Sequence, residues 1–192
     1  MLASITPLGE RSRRQSWGIT VTALIAGAML GGAAIGAFAS LLGQLAHPAA
    51  NIRPVALAVV VVLLVVVDVA TDRVSPHLRQ VNEEWLRRYR GWVYGAGFGV
   101  QLGAGLATTV TTASVYATLA ACLLAPTVAV GTLIGLIFGA LRGLSLLATG
   151  RVRTSRQLAA FHRRFVALDR PGRLAGLAVQ AGAALAVLGV LL

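Results

Sequence analysis

Hydrophobic and polar positions follow one another along this chain in long blocks. Extended apolar runs are separated by short segments that hold nearly all of the charged residues. A helix rises ~1.5 Å per residue, so each run is long enough to cross, or nearly cross, a hydrocarbon core of ~30 Å. The pattern predicts an all-α integral membrane protein forming one membrane domain over 1–192. Its five transmembrane helices lie at about 17–45, 54–70, 91–124, 127–148 and 174–192.

The third predicted span, 91–124, is longer than one crossing requires. As a single helix it would measure about 50 Å, so it must tilt, bend or protrude. A break between Thr108 and Thr112 would give six spans instead of five. Six spans would place the basic segment 151–173 outside the cell, so five spans are the preferred interpretation.

Two polar segments between the spans have the pattern of amphipathic helices. In 78–90, apolar residues that include Trp85 and Tyr89 recur at spacings of three and four, opposite charged residues. Segment 155–168 shows the same pattern around Phe161. Both are predicted to lie on the cytoplasmic membrane surface. The order of two spans and a surface helix then occurs twice, which indicates an internal repeat.

Small residues recur every four positions in the first, third and fourth spans. One face of each of these helices therefore carries almost no side-chain bulk, which allows close approach of helix backbones in a membrane. We predict that these spans pack through their small-residue faces. The glycines concerned are Gly32, Gly36, Gly91, Gly95, Gly99, Gly103, Gly131, Gly135, Gly139 and Gly143.

Polar side chains inside the apolar runs are the candidate binding residues. Hydroxyl groups in a membrane helix commonly bond to a carbonyl of the preceding turn, which is the structural alternative. The functional hypothesis is a polar lining for a solute, a quinone head group or a partner helix. The candidate lining residues are Gln101, Thr108, Thr109, Thr112, Ser114, Tyr116 and Gln180.

The positive charge of the chain comes from arginine alone. There are seventeen arginines and no lysine, giving a formal charge of +11, and they lie in short segments between hydrophobic runs. A nucleic-acid-binding protein would concentrate such charge on a soluble module, so no nucleic-acid partner is expected. Five spans with a cytoplasmic N-terminus and an outer C-terminus leave only Arg53 outside. We expect a bacterial plasma-membrane location and contacts with anionic lipids of the cytoplasmic leaflet.

Catalytic and cofactor motifs are absent from the sequence. The single cysteine, Cys122, excludes an internal disulfide and a cysteine zinc site. The three histidines fall in or near predicted loops, so no pair has the spacing of a haem or zinc site. We expect no enzyme activity, no cofactor and no metal.

The Arg-rich start, the Trp17-Gly18 entry into the first span and the Gly- and Thr-rich spans resemble the transmembrane domain of CcdA and DsbD, within the LysE-like transporters. Proteins of that kind depend on a pair of cysteines in the membrane, and this chain has only Cys122. The resemblance therefore implies a membrane helix bundle without thiol chemistry. The chain is also similar to an actinobacterial group of multi-span membrane proteins of unknown function. The segments that carry this similarity are PLGERSRR, RQVNEEWLRRYRGWVYGAGFGVQLGAG and FHRRF.

Two functions from different classes fit the sequence. The first is a transporter-like protein with a polar-lined path or pocket for a small solute. The alternative is a noncatalytic membrane subunit or scaffold that docks a partner through its Gly-rich helix faces. A chain of this size would enclose a path as a homo-oligomer, or would work as a subunit of a membrane complex. Near absence of intramembrane charge weakens the transporter hypothesis, because coupled carriers need an ionisable relay.

Overall fold

The structure is a computed structural model of the whole chain. It describes residues 5–46, 52–70, 84–105 and 114–168, together with 171–172, 174–176, 178–179 and 181–182. The described residues are helical and contain no strand, which confirms the predicted all-α class. The predicted fifth span and residues 78–83 of the first predicted surface helix lie largely or wholly outside the described part.

The helices follow the blocks of the sequence. In chain order they are α1 (Pro7–Ser12), α2 (Trp17–Leu45), α3 (Ile52–Ala70), α4 (Glu84–Arg88), α5 (Gly91–Gly103), α6 (Ser114–Leu123), α7 (Val128–Leu144), a 3₁₀ helix (Ser145–Arg151) and α8 (Ser155–Ala167).

Two helical segments are long and apolar enough to cross a membrane. They are α2, with 29 residues, and α7 together with the 3₁₀ helix, Val128–Arg151, with 24 residues. The apolar part of α3, Ile52–Val67, is shorter. By length and composition, the structure therefore gives two candidate spans within the described residues.

The chain divides into two compact units. The first is drawn from Met1–Ala33, Arg79–Thr108 and Leu136–Leu168, and the second from Ala34–Leu78, Thr109–Gly135 and Asp169–Leu192.

The first unit is built on a crossing of helices at Ala28 of α2. The backbone of Ala28 lies where a side chain at Gly103 of α5 or at Gly139 of α7 would have to be. The backbone nitrogen of Ala28 would be 2.8 Å from a Cβ at Gly99. Ala28 is fully buried. Three helices meet at this point because none of them has side-chain bulk there.

The second unit repeats this kind of contact. A Cβ at Gly36 of α2 would be 3.1 Å from the Cα of Gly135 of α7, and a Cβ at Gly131 would be 2.5 Å from the Cβ of Ser40. Ser40 donates a hydrogen bond of 3.1 Å to the carbonyl of Thr127. Helix α3 packs against α6 in the same unit.

Helix α5 ends well before the end of the apolar segment in which it lies. The nitrogen of Ala104 still bonds to the carbonyl of Val100, and Gly105 then adopts a φ of 73°. This left-handed conformation is one that glycine takes without steric cost and that ends helices. The sequence did not decide whether the helix predicted over 91–124 is broken. In the described residues, α5 and α6 are separate elements.

Alanine substitutions at two glycines test the close contact in the first unit. Gly99→Ala places a methyl group against the backbone of Leu24 and Ala28. Overpacking of this kind costs about 1–3 kcal/mol, so we expect a lower thermal unfolding temperature in mild detergent. Gly18→Ala in α2 is the control, because nothing lies within 4 Å of its added Cβ. It should be neutral or stabilising by about 0.5–1 kcal/mol. Equal unfolding temperatures for the two variants would contradict the packing.

Candidate functional site

Residues 5–12 form an N-terminal segment of the first unit that is buried at three positions. Thr6 caps α1 by accepting a hydrogen bond of 3.1 Å from the nitrogen of Gly9, and Pro7 occupies the first turn. A capping threonine followed by proline is a common helix start. Ile5, Thr6 and Glu10 are buried to 1% exposure or less.

Glu10 is at the centre of a buried polar cluster. Its Oε1 accepts a hydrogen bond of 2.6 Å from Nη2 of Arg13, which is also an ion pair. Its Oε2 accepts one of 2.8 Å from the hydroxyl of Thr20 in α2 and another from the hydroxyl of Tyr94 in α5. Because all three partners donate to it, a carboxylate at this position has its acceptors satisfied.

Arg13 balances the charge of this carboxylate. Burial by itself lowers the pKa of Arg13. The hydrogen bond to Glu10 and the negative charge of Glu10 raise it by more, so the pKa of Arg13 lies above its usual value. A buried charge is tolerated only where it is paired and hydrogen-bonded. If either charged group is removed, the other remains buried without its partner, which costs free energy.

Further hydrogen bonds join the N-terminal segment to its neighbours. Thr149 of the 3₁₀ helix donates 3.1 Å to the carbonyl of Ile5, and the nitrogen of Leu8 donates 3.2 Å to the carbonyl of Val152. Gln15 accepts a bond of 3.1 Å from the nitrogen of Gly91, the first residue of α5. The segment is thus bonded to α5 and to the 3₁₀ region, in addition to α2.

An apolar core surrounds the polar cluster. Tyr94 and Phe98 have ring centroids 6.0 Å apart, and Trp85 stacks on Phe98 at 6.1 Å with an interplanar angle of 20°. Ile5 and Leu146 belong to the same buried group. The apolar surroundings keep water from Glu10, which strengthens each hydrogen bond to it.

The cluster holds the N-terminal segment in place. Its carboxylate accepts hydrogen bonds from Arg13, from Thr20 in α2 and from Tyr94 in α5. Within the described ranges, no three His, Cys, Asp or Glu side chains lie close enough together to hold a metal ion.

Sequence reasoning did not identify this cluster. The sequence showed an Arg-rich start before the first span, and no role was assigned to Thr20 or Tyr94. The hydrogen bonds join residues 10 and 84 positions apart, so no local pattern reveals them. The one available signal was Thr6-Pro7, a helix start that made α1 predictable.

The structure describes only part of the predicted polar lining. Gln101 is partly buried in α5 of the first unit, and its side chain bonds to no described residue. Tyr116 lies in α6 of the second unit with 43% of its surface exposed, and Ser114 is the first residue of α6. The remaining candidates, Thr108, Thr109, Thr112 and Gln180, lie outside the described residues. The lining stays a prediction.

All ten glycines predicted to pack helices are buried. In the first unit, a Cβ at Gly95 would lie 2.5 Å from the carbonyl oxygen of Thr20, and one at Gly143 would lie 3.1 Å from the Cα of Ile25. Cys122, which is also buried, donates a weak hydrogen bond of 3.5 Å to the carbonyl of Gly131 in the second unit.

Comparisons of this chain with protein-family models, with curated proteins and with solved structures found no match. Its function has therefore to be argued from the geometry of its own residues.

Removal of the Glu10 carboxylate tests the cluster. Glu10→Ala leaves the hydroxyls of Tyr94 and Thr20 and the guanidinium of Arg13 without their common acceptor, at a cost of about 3 kcal/mol. We expect a lower thermal unfolding temperature and faster proteolysis of the N-terminal segment. Glu10→Gln keeps one oxygen acceptor and should lose less. Arg11→Ala, at an exposed neighbouring position, is the control. Wild-type stability of Glu10→Ala would show that the cluster does not hold this segment.

Proposed function

We propose that this chain is a small multi-span plasma-membrane protein of the transporter type, with a polar path or pocket for a small solute. The observation that carries the proposal is the end of α5 at Gly103, inside a long apolar segment. At 1.5 Å per residue, its 13 residues measure about 20 Å, less than a hydrocarbon core of ~30 Å. Interrupted helices of this kind commonly form the substrate sites of transporters.

The position of Gln101 supports a path beside α5. The residue lies two positions before the end of the helix, partly exposed, and its amide bonds to no described residue. An unsatisfied amide in hydrocarbon is costly, so a polar solute or water beside it would be favourable. Gln101 is therefore the described residue that we assign to the path.

Glu10 is fully buried in the same unit as Gln101 and bonds to Tyr94 of the same helix. It precedes the first span, so it is not the intramembrane ionisable relay that coupled carriers generally need. The transport proposal therefore rests on the end of α5 and on Gln101.

The alternative, a noncatalytic subunit that docks a partner through glycine faces, has less support. The glycine faces of α2, α5 and α7 contact backbone of the chain itself. A partner would have to use another surface, such as the exposed apolar residues of α3, which include Val59 and Val66. Lipid would cover the same residues in a membrane.

The proposed orientation has the N-terminus cytoplasmic and the C-terminus outside, and the contacts within each unit support the order of crossings on which it is built. In the first unit, the start of α5 is bonded to Gln15, just before α2 begins. In the second, Arg53 at the start of α3 is 3.5 Å from the carbonyls of Ala125 and Pro126. In the five-span topology, Gln15 and the start of α5 are both inside, and Arg53 and the Ala125–Pro126 turn are both outside. Segments that contact each other therefore fall on the same side of the membrane.

A single substitution tests the path. Cells that lack the native gene are complemented with the wild-type chain or with Gln101→Leu, and their small-molecule contents are compared by mass spectrometry. Loss of the amide should reduce the difference in the affected solute between complemented and gene-deficient cells by about fivefold or more at unchanged protein level, because a polar group left without its hydrogen-bond partner costs about 1–3 kcal/mol. Val100→Leu, an apolar change at the neighbouring position, should behave as wild type.

Gentle purification of the native protein supplies the second measurement. A homo-oligomer without other chains agrees with transport. If no solute differs between cells with and without the gene, and a stoichiometric partner protein co-purifies, the chain is a subunit and the transport proposal is wrong.

A further inference from the structure

Several chain segments of the first unit meet at one end of its helices. The nitrogen of Gly91, at the start of α5, bonds to Gln15 just before α2 begins. The ring of Trp17, at the start of α2, lies 2.8 Å from where a Cβ on Gly150 would be. Thus α2 and α5 begin side by side, and the 3₁₀ helix ends beside them.

This end is rich in exposed arginine. Of the two acidic residues that the structure describes in full in this unit, Glu10 is buried and paired with Arg13, and Glu84 is exposed. The exposed positive charge therefore exceeds the exposed negative charge among the described residues. The arginine collar, as we name it, consists of Arg11, Arg14, Arg88, Arg90, Arg151 and Arg153.

Large aromatic side chains lie in the same part of the chain. Trp92 is 55% exposed, Tyr89 44% and Trp85 37%. Tryptophan and tyrosine concentrate at membrane–water interfaces, where an apolar ring and a polar group each meet a suitable environment. A soluble polyanion such as nucleic acid would not require these rings beside an apolar helix bundle.

We propose that the arginine collar binds anionic phospholipid head groups of the cytoplasmic leaflet. A guanidinium can donate two parallel hydrogen bonds to a phosphate, and its charge favours lipids with net negative charge over zwitterionic ones. This inference rests on the proposed membrane location, and it assigns the expected contact with anionic lipid to named residues of the first unit. The aromatic rings set the depth at which the arginines meet the head groups.

Tryptophan fluorescence provides the test, because all three tryptophans belong to the first unit. The full chain is reconstituted in phosphatidylcholine vesicles that contain a minor fraction of phosphatidylglycerol. In one preparation the acyl chains of the phosphatidylglycerol are brominated, and in the other those of an equal amount of the phosphatidylcholine. The two membranes have the same head groups, so only the location of the quencher differs.

Enrichment of anionic lipid at the collar should make brominated phosphatidylglycerol the stronger quencher, by about twofold at low salt. Arg88→Gln combined with Arg90→Gln should bring the two quenching values together, and so should high salt. Arg53→Gln is the matched control, since it removes an arginine of the second unit. It should leave the ratio unchanged. Thermal unfolding in detergent verifies that each variant is folded.

Equal quenching by both brominated lipids in the wild-type chain would overturn the lipid assignment and leave the proposed membrane location in place. An unequal ratio that survives Arg88→Gln with Arg90→Gln would also overturn the assignment to the collar. Absence of quenching by either lipid would place the tryptophans away from the bilayer and would contradict both the collar and the proposed function.

Discussion

The close approach of three helices at Ala28 is the constraint on which the rest of the first unit depends. Backbone groups of α2 lie where side chains of Gly99, Gly103 and Gly139 would be, so even a methyl group on any of them would collide. Helices with small side chains in their interface approach closely and gain dispersion contacts between their backbones. These contacts do not depend on the hydrophobic effect. Packing of this kind suits a hydrocarbon environment and fixes which helix ends lie together.

The polar cluster around Glu10 is a consequence of this packing. Because α2 and α5 start side by side, Thr20 and Tyr94 both reach the same carboxylate oxygen, and α1 supplies the carboxylate from outside the two helices. Burial of an ion pair costs free energy that the hydrogen bonds only partly return. Its presence is therefore better explained by a role in fixing the position of the N-terminal segment than by a gain in stability.

The all-helical class could be predicted from sequence because the apolar runs are long and carry a regular spacing of small residues. Burial of the glycines is also a local property, visible in the four-residue period. The partners of Glu10 could not be found, since Thr20 and Tyr94 lie 10 and 84 positions away. The end of α5 could not be predicted either, because a glycine-rich sequence is compatible with a continuous helix and also with a left-handed conformation at Gly105 that ends the helix.

Labelling of engineered cysteines in intact cells measures the membrane topology most directly. With Cys122 replaced by serine, Ser155→Cys should stay unreactive towards a membrane-impermeant thiol reagent until the cells are opened. Asn51→Cys, between the first and second predicted spans, should react at once. These results would agree with a cytoplasmic collar and five spans. Reaction of Ser155→Cys in intact cells would place the basic segment outside and would contradict the account.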